Sequence, residues 1–383
     1  MVKYEEISNF TEVITGGTPS TVIKEYWEKG SINWLSSGDL NQGIVNYSTK
    51  KITELGYKNS STKMMPIGTV AIALTGATTG VTGILNIEAC GNQSVTGILP
   101  SSNHDSKYLY YYIRSIRDKI INDSFGGAQP HINQQYVKNI KIPLFELEKQ
   151  NQIAKTLDKA NELIELRKES ITKLDALAKS IFIDMFGDPV SNPKGWAIKK
   201  IIDLGKVQTG NTPPRVESDN YGDFIEWIKS DNILKDKMII TEAREYLSEK
   251  GYRKGRITDK GSLLFTCIAG SMSSIGNLAM TDRQVTFNQQ INSLTPVDNN
   301  ELYLYSLFKL CKKFFEENST KSMKIMINKS TFENLLFPIA PIDLQNKFAK
   351  IIEKIEEQKS LYEKELELLQ NNFDALLQKS FQE

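Results

Sequence analysis

The sequence predicts a mixed α/β (α+β) chain built twice over. Two tandem mixed domains would be joined by two long helices packed as an antiparallel intramolecular coiled coil, with pseudo-twofold symmetry. Three observations lead there. The chain has 383 residues, enough for two or three domains of roughly 100 to 200 residues. Short motifs recur in the same order at a nearly constant displacement. Two stretches free of glycine and proline carry apolar residues at alternating +4 and +3 spacing, the period of coiled-coil packing.

The repeats come first because they set the domain plan. Thr15-Gly16-Gly17-Thr18-Pro19 returns as Thr209-Gly210-Asn211-Thr212-Pro213, and Ile32-Asn33-Trp34-Leu35 returns as Ile225-Glu226-Trp227-Ile228. Gly56-Tyr57 answers Gly251-Tyr252, Asn92-Gln93 answers Asn288-Gln289, and Pro100 answers Pro296. Ile132-Asn133, Pro143 and Gln150 answer Ile327-Asn328, Pro338 and Gln345. The displacement drifts only between 193 and 196. Matches kept in register over this length indicate a tandem duplication.

Within each copy, short apolar runs such as 70–74 and 263–266 lie between glycine-rich turns and predict strands. Apolar spacing predicts helices over 108–121 and 302–315.

The seam of the first long helix runs through Ile153, Leu157, Ala160, Ile164, Arg167, Ile171, Leu174, Ala178, Ile181 and Met185. The second runs through Phe348, Ile352, Ile355, Lys359, Tyr362, Leu366, Leu369, Phe373, Leu376 and Ser380. A 33-residue rod would be roughly 50 Å long. Its apolar stripe must be covered, since burial at about 25 cal/mol per Å² outweighs intrinsic helix propensity. The simplest cover is the other helix of the same chain, and an intermolecular coiled coil is the alternative. Arg167 and Lys359 break the stripe and would fix register or face a partner. Gly187, Pro189, Pro193 and Gly195 end the first helix in a hinge.

Composition narrows the function. The chain is 40% hydrophobic and 24% charged, as expected of a globular protein. Net charge is +1, so any nucleic-acid surface must be local. No apolar run reaches the roughly 18 residues of a membrane span, and no secretory signal opens the chain, so a cytoplasmic location is expected. Two histidines, His104 and His131, and three scattered cysteines leave no imidazole or thiolate metal cage. Phosphate-cradling glycine motifs and a methyltransferase tetrapeptide are missing. Asp105-x-Lys107 and Glu357-x-Lys359 resemble the end of a nuclease motif only faintly and read as surface charge. The sequence predicts no catalytic residue, no bound cofactor and no metal.

The order of elements, the Phe-Gly-Asp-Pro…Asn-Pro-x-Gly-Trp link over 186–196, and the Thr-Gly-x-Thr-Pro turn that opens the second domain resemble the specificity subunit of a Type I restriction–modification system. The resemblance spans nearly the whole chain. It implies target recognition domains at 1–148 and 188–340 (the latter with its linker) and spacer helices at 149–187 and 341–383. Each domain would read one half of a bipartite double-stranded DNA site, with the helices setting the gap and docking methyltransferase and restriction subunits. S-adenosylmethionine, ATP and Mg²⁺ are then expected in those partners. Divergent heads imply an asymmetric site. The alternatives are a non-DNA two-headed scaffold that binds other proteins, and a catalytic methyltransferase.

Candidate DNA contacts follow from residue chemistry, since Lys and Arg suit phosphates while Arg, Gln, Ser and Thr reach base edges. In the first domain these are Thr78 and Thr79 in a glycine-flanked turn, with Gln129 and His131 in a second loop. In the second they are Arg215, Arg253, Lys254, Arg256, Ser271, Ser273, Lys321 and Lys324. Arg215 stands where the first copy has Thr21, and the Arg253–Arg256 run reads as short of neighbouring acids. Asn92-Gln93, Asn288-Gln289, Trp34 and Trp227 recur in both copies and are expected to be scaffold.

Overall fold

A computed structural model describes residues 3–127, 129–320 and 325–382. They form two compact units, Met1–Lys168 with Lys364–Glu383, and Glu169–Glu363. The division runs through both long helices, so each unit holds one mixed domain, or head, and a part of each helix.

The head of the first unit has a five-stranded sheet ordered Val13–Thr15, Val95–Ile98, Val70–Ala73, Thr82–Leu85, Ile44–Val45. A smaller sheet sets Ile32–Leu35 between Lys50–Ile52 and Cys90–Gly91. The second head repeats the plan. Its four-stranded sheet runs Gly205–Thr209, Ile291–Pro296, Leu263–Thr266, Leu278–Met280, and Ile225–Ile228 lies in a separate five-stranded sheet. The apolar runs that predict strands at 70–74 and 263–266 are fully buried central strands.

The duplication is visible in single bonds. Trp34 Nε1 donates to Gly17 O at 3.0 Å, and Trp227 Nε1 to Asn211 O at 3.1 Å. Gly56 N donates to Thr53 Oγ1 and Gly251 N to Ser248 Oγ, each at 3.1 Å. Asn133 and Asn328 cap equivalent short helices through 2.8 Å bonds to Tyr136 N and Thr331 N, each satisfying a helix-start donor. A Cβ on Gly16 would lie 2.1 Å from Gly91 O, and one on Gly210 would lie 2.2 Å from Asn288 O. The opening Thr-Gly turn therefore needs glycine in both copies.

The helices expected over 108–121 and 302–315 are each broken once. Ser106–Ser115 and Arg117–Asn122 flank Ile116, and Glu301–Leu310 and Lys312–Glu317 flank Cys311. The break lets the second piece bury Ile120 or Phe315 in its own core, a change that apolar spacing does not announce.

The long helices span Leu147–Phe186 and Ile342–Ser380, 40 and 39 residues, or about 60 Å each. They start before the 33-residue seams because their first turns are anchored to the heads. Gln150 is buried, accepting from Asp105 N at 2.9 Å and donating to Phe145 O at 2.8 Å. Gln345 repeats this with Asn300 N and Ala340 O, both at 2.8 Å.

In the first unit, Ile153, Leu157, Ala160 and Ile164 meet Leu366, Leu369, Phe373 and Leu376 in one core with Tyr108–Ile113 of the head. In the second, Leu174, Ala178, Ile181 and Met185 meet Phe348, Ile352 and Ile355. The early part of one helix thus packs on the late part of the other in each unit, which makes the pairing antiparallel and intramolecular. Ile171 and Tyr362 are half-buried. The two charged seam positions are ion-paired across the helices: Arg167 Nη2 lies 2.8 Å from Glu365 Oε2 in the first unit, and Lys359 Nζ 2.6 Å from Asp175 Oδ1 in the second.

The link after the first helix is braced. Gly187 turns the chain at φ +77°, a region that favours glycine. Trp196 Nε1 donates to Phe186 O at 2.9 Å, while Asn192 makes two 2.9 Å bonds to the Trp196 main chain. Among the described residues, no helix is long and apolar enough to cross a membrane.

Candidate nucleic-acid interface

Each head brings the same turns to one edge. In the first, Thr18 donates to Gln93 Oε1, joining the Thr-x-Pro turn to the Asn-Gln turn. The next residue, Ser94, bonds Thr75 Oγ1 at 2.9 Å and accepts from Leu74 N at 2.8 Å. That fixes the turn over 75–80, whose Gly76 N donates to Pro130 O at 2.9 Å. Around Pro130, Phe125 and His131 exchange main-chain bonds of 2.8 and 2.9 Å. In the second head, Thr212 donates to Gln289 Oε1, Cys267 N donates to Gln290 O at 2.8 Å, and Ile268–Ala269 pairs with Ile325–Met326. The shared Asn-Gln pairs thus tie turns together, the scaffold part expected of them.

The candidates of the first head divide. Gln129 and His131 are exposed on the loop that packs on the 75–80 turn. Thr78 is half-buried and donates to Thr75 O at 3.1 Å. Thr79 is a correction: it is 1% exposed and its hydroxyl lies 2.9 Å from both Gly76 O and Pro130 O. It holds the two loops together and cannot meet a ligand from solvent.

In the second head, Ser271 and Ser273 are exposed in the equivalent turn, where Ser271 Oγ lies 3.1 Å from Ser273 Oγ and 2.9 Å from Ser274 Oγ. Lys312 reaches the same turn, donating to Ser273 O and Asn277 Oδ1 at 2.6 Å. Sequence reading missed Lys312, because it lies 39 residues from Ser273 along the chain. Lys321 and Lys324 lie outside the described residues.

Arg215, Arg253, Lys254 and Arg256 gather around the Thr-Pro turn. Asn211 fastens the main chain of two of them, donating to Lys254 O and accepting from Arg256 N, each at 2.8 Å. The expected shortage of acids is overturned, because the fold supplies them. Arg215 makes a two-pronged pair with Glu245 at 2.7 and 3.1 Å, Lys254 meets Glu217 at 2.7 Å, and Arg253 meets Glu249 at 3.1 Å. Lys229, also missed in the sequence, shares Glu245 with Arg215. The Arg215 guanidinium lies 4.6 Å from the Tyr221 ring centre and 5.2 Å from that of Trp227, within cation–π range. Hydrogen bonds from Arg215 and Lys229 hold the Glu245 carboxyl down at about 2. Arg256 is exposed, and its guanidinium bonds no described residue.

The faint nuclease-like pairs have structural roles. Asp105 caps a helix by accepting from Tyr108 N at 2.8 Å, Lys107 pairs with Asp158, and Lys359 is a seam residue.

A family model described as the Type I restriction modification DNA specificity domain matches the chain twice, over residues 1–176 and 193–371. The chain belongs to that family. Each match falls on one copy of the repeat. Among relatives of this specificity family, the Type I restriction enzyme MjaIX specificity subunit of Methanocaldococcus jannaschii is 26% identical over 402 residues, covering 98% of this chain and 91% of its own. The EcoR124I/EcoR124II specificity subunit of Escherichia coli is 30% identical over 167 residues, 42% of this chain and 41% of its own. The crystal structure of a Type I S subunit from M. genitalium shares the fold with a TM-score of 0.59 at 17% identity, covering 100% of this chain and 96% of its own. A chain from a solved type I R-M system gives 0.62 at 15% identity, with 99% and 97% covered.

Proposed function

We propose that each head reads one half of an asymmetric, bipartite double-stranded DNA site, and that the paired helices set the gap between the halves. The observation that carries this reading is the contrast between fixed scaffold and varied surface. The bonds Thr18–Gln93 and Thr212–Gln289 hold equivalent edges, yet the loops beside them expose Gln129 and His131 in one head and Ser271 and Ser273 in the other. Equal scaffolds with unequal polar side chains suit two different base sequences.

The helices also serve as docking surface for methyltransferase and restriction subunits. Leu163, Leu166, Leu177, Leu361 and Leu368 are about half exposed on them, more apolar side chain than a solvated helix face needs. The chain contributes recognition and no catalytic group. S-adenosylmethionine, ATP and Mg²⁺ are then used by the partner subunits.

Sequencing methylated sites in cells with and without the gene tests the reading. Two unlike half-sites at one fixed spacing are expected to depend on it. A perfect inverted repeat, or unchanged methylation without the gene, would overturn it.

A further inference from the structure

The two heads carry opposite charge at one structurally equivalent position. In the first unit Lys50 lies opposite Trp34 in the Ile32–Leu35 and Lys50–Ile52 pair. In the second, Trp227 N donates to Glu245 O at 3.0 Å, so Glu245 lies opposite Trp227. Flanking bonds confirm the equivalence: Thr53 N donates to Tyr26 O at 2.9 Å, as Ser248 N does to Asn220 O at 3.0 Å.

The surroundings differ in the same sense. In the second head Arg215 lies over Tyr221, whose ring meets Trp227 edge-on at 5.9 Å, and its charge is spent on Glu245. In the first head Trp27 meets Trp34 edge-on at 5.0 Å, but Thr21 replaces the arginine. What remains is an open cleft of about 440 Å³ lined by Thr21, Trp27, Lys50 and Lys51. Both lysines are exposed, and neither ammonium is bonded to a described residue.

Resting on the DNA reading above, we propose that this cleft of the first head takes a backbone phosphate of the bound duplex, with Lys50 as its ion partner and the Thr21 hydroxyl as a second donor. The second head makes no such contact, because the Arg215–Glu245 pair fills the corresponding space. An ammonium in a cleft lined by an indole and a hydroxyl suits a phosphate as a point charge, and a phosphate contact positions the head without reading sequence. Sequence reading passed over Lys50. Lining it up with Glu245 at the 195-residue displacement of Gly56 and Gly251 was the signal that could have found it.

The test is the salt dependence of full-length chain binding to its duplex site. Lys50→Gln is expected to lower the slope of log K against log salt by about one, the share of one neutralised phosphate, with the preferred sequence unchanged. Thr21→Arg combined with Lys50→Glu rebuilds the closed pair of the second head and is expected to give the same loss with a melting temperature no lower than that of wild type. If wild type binds with a steep slope and both variants keep it, the phosphate assignment is wrong while the DNA reading stands. Discrimination lost at an unchanged slope would make Lys50 a base reader, and this also overturns the assignment. If wild type itself shows no salt-dependent duplex binding, the DNA reading fails first.

Discussion

Lys359 sets its ammonium 2.6 Å from Asp175 across the paired helices of the second unit, with its own side chain 9% exposed and that of Asp175 49% exposed. Burial alone would pull the lysine toward its neutral form. The bond to Asp175 and the charges of Asp175, Glu356 and Glu363 outweigh this and raise its pKa. A cation placed in an apolar stripe penalises any register that leaves it unpaired.

The two ends of that pair are expected to respond with opposite signs. Asp175→Ala leaves a buried ammonium without its nearest carboxylate and should cost about 1 kcal/mol, a value lowered for the exposure of Asp175. Lys359→Met fills the same space with apolar surface and should be neutral or slightly stabilising. Denaturant midpoints of the two variants decide the matter. Equal destabilisation by both would remove the desolvation argument.

Glu245 gives an acid-side prediction. Its pKa is lowered from 4.5 to about 2 by Arg215 and then Lys229. A carboxylate lowered on folding adds stability that is present above 4.5 and lost as pH falls toward 2. The melting temperature of Glu245→Gln should therefore lie below wild type at neutral pH, and the two should converge between pH 4.5 and 2. A difference that stays constant over that window would show that the ion pairs add nothing.

Gln345 joins the second long helix to its head from a buried position. Gln345→Leu strips partners from Asn300 N and Ala340 O. Each orphaned buried group costs about 1–3 kcal/mol, so a loss of roughly 2–6 kcal/mol is expected in equilibrium unfolding. Gln345→Glu should recover part of it, since one oxygen still accepts from Asn300.

Seven residues added to both long helices, in phase with the seam, lengthen each by about 10.5 Å. At about 3.4 Å per base pair the recognised gap should grow by about three base pairs with both half-sites unchanged. Methylated-site sequencing reads gap and half-sites together. Altered half-sites at a constant gap would end the ruler account.

Much of this architecture is legible in the chain because it rests on period and repetition. A 3.5-residue apolar alternation from Ile153 to Met185 must be buried whatever surrounds it. Matched glycines such as Gly16 and Gly210 mark turns that admit no side chain. The short helices were harder, since one non-helical residue, Ile116 or Cys311, ends a helix without changing its apolar spacing.

The candidate interface was less legible for a definite reason. Whether a cation is available to a ligand depends on which carboxylate the fold brings beside it, and Glu245 lies 30 residues from Arg215. Thr79 has the chemistry of a reader, but Pro130, 51 residues away, takes its hydroxyl. The sequence alone determined the doubled plan, the two apolar seams and the family resemblance, because these follow from the order and spacing of residues along the chain. Only tertiary structure decided which surface charges are spent and which stay open, as at Arg215 and Lys50, because that depends on neighbours distant along the chain.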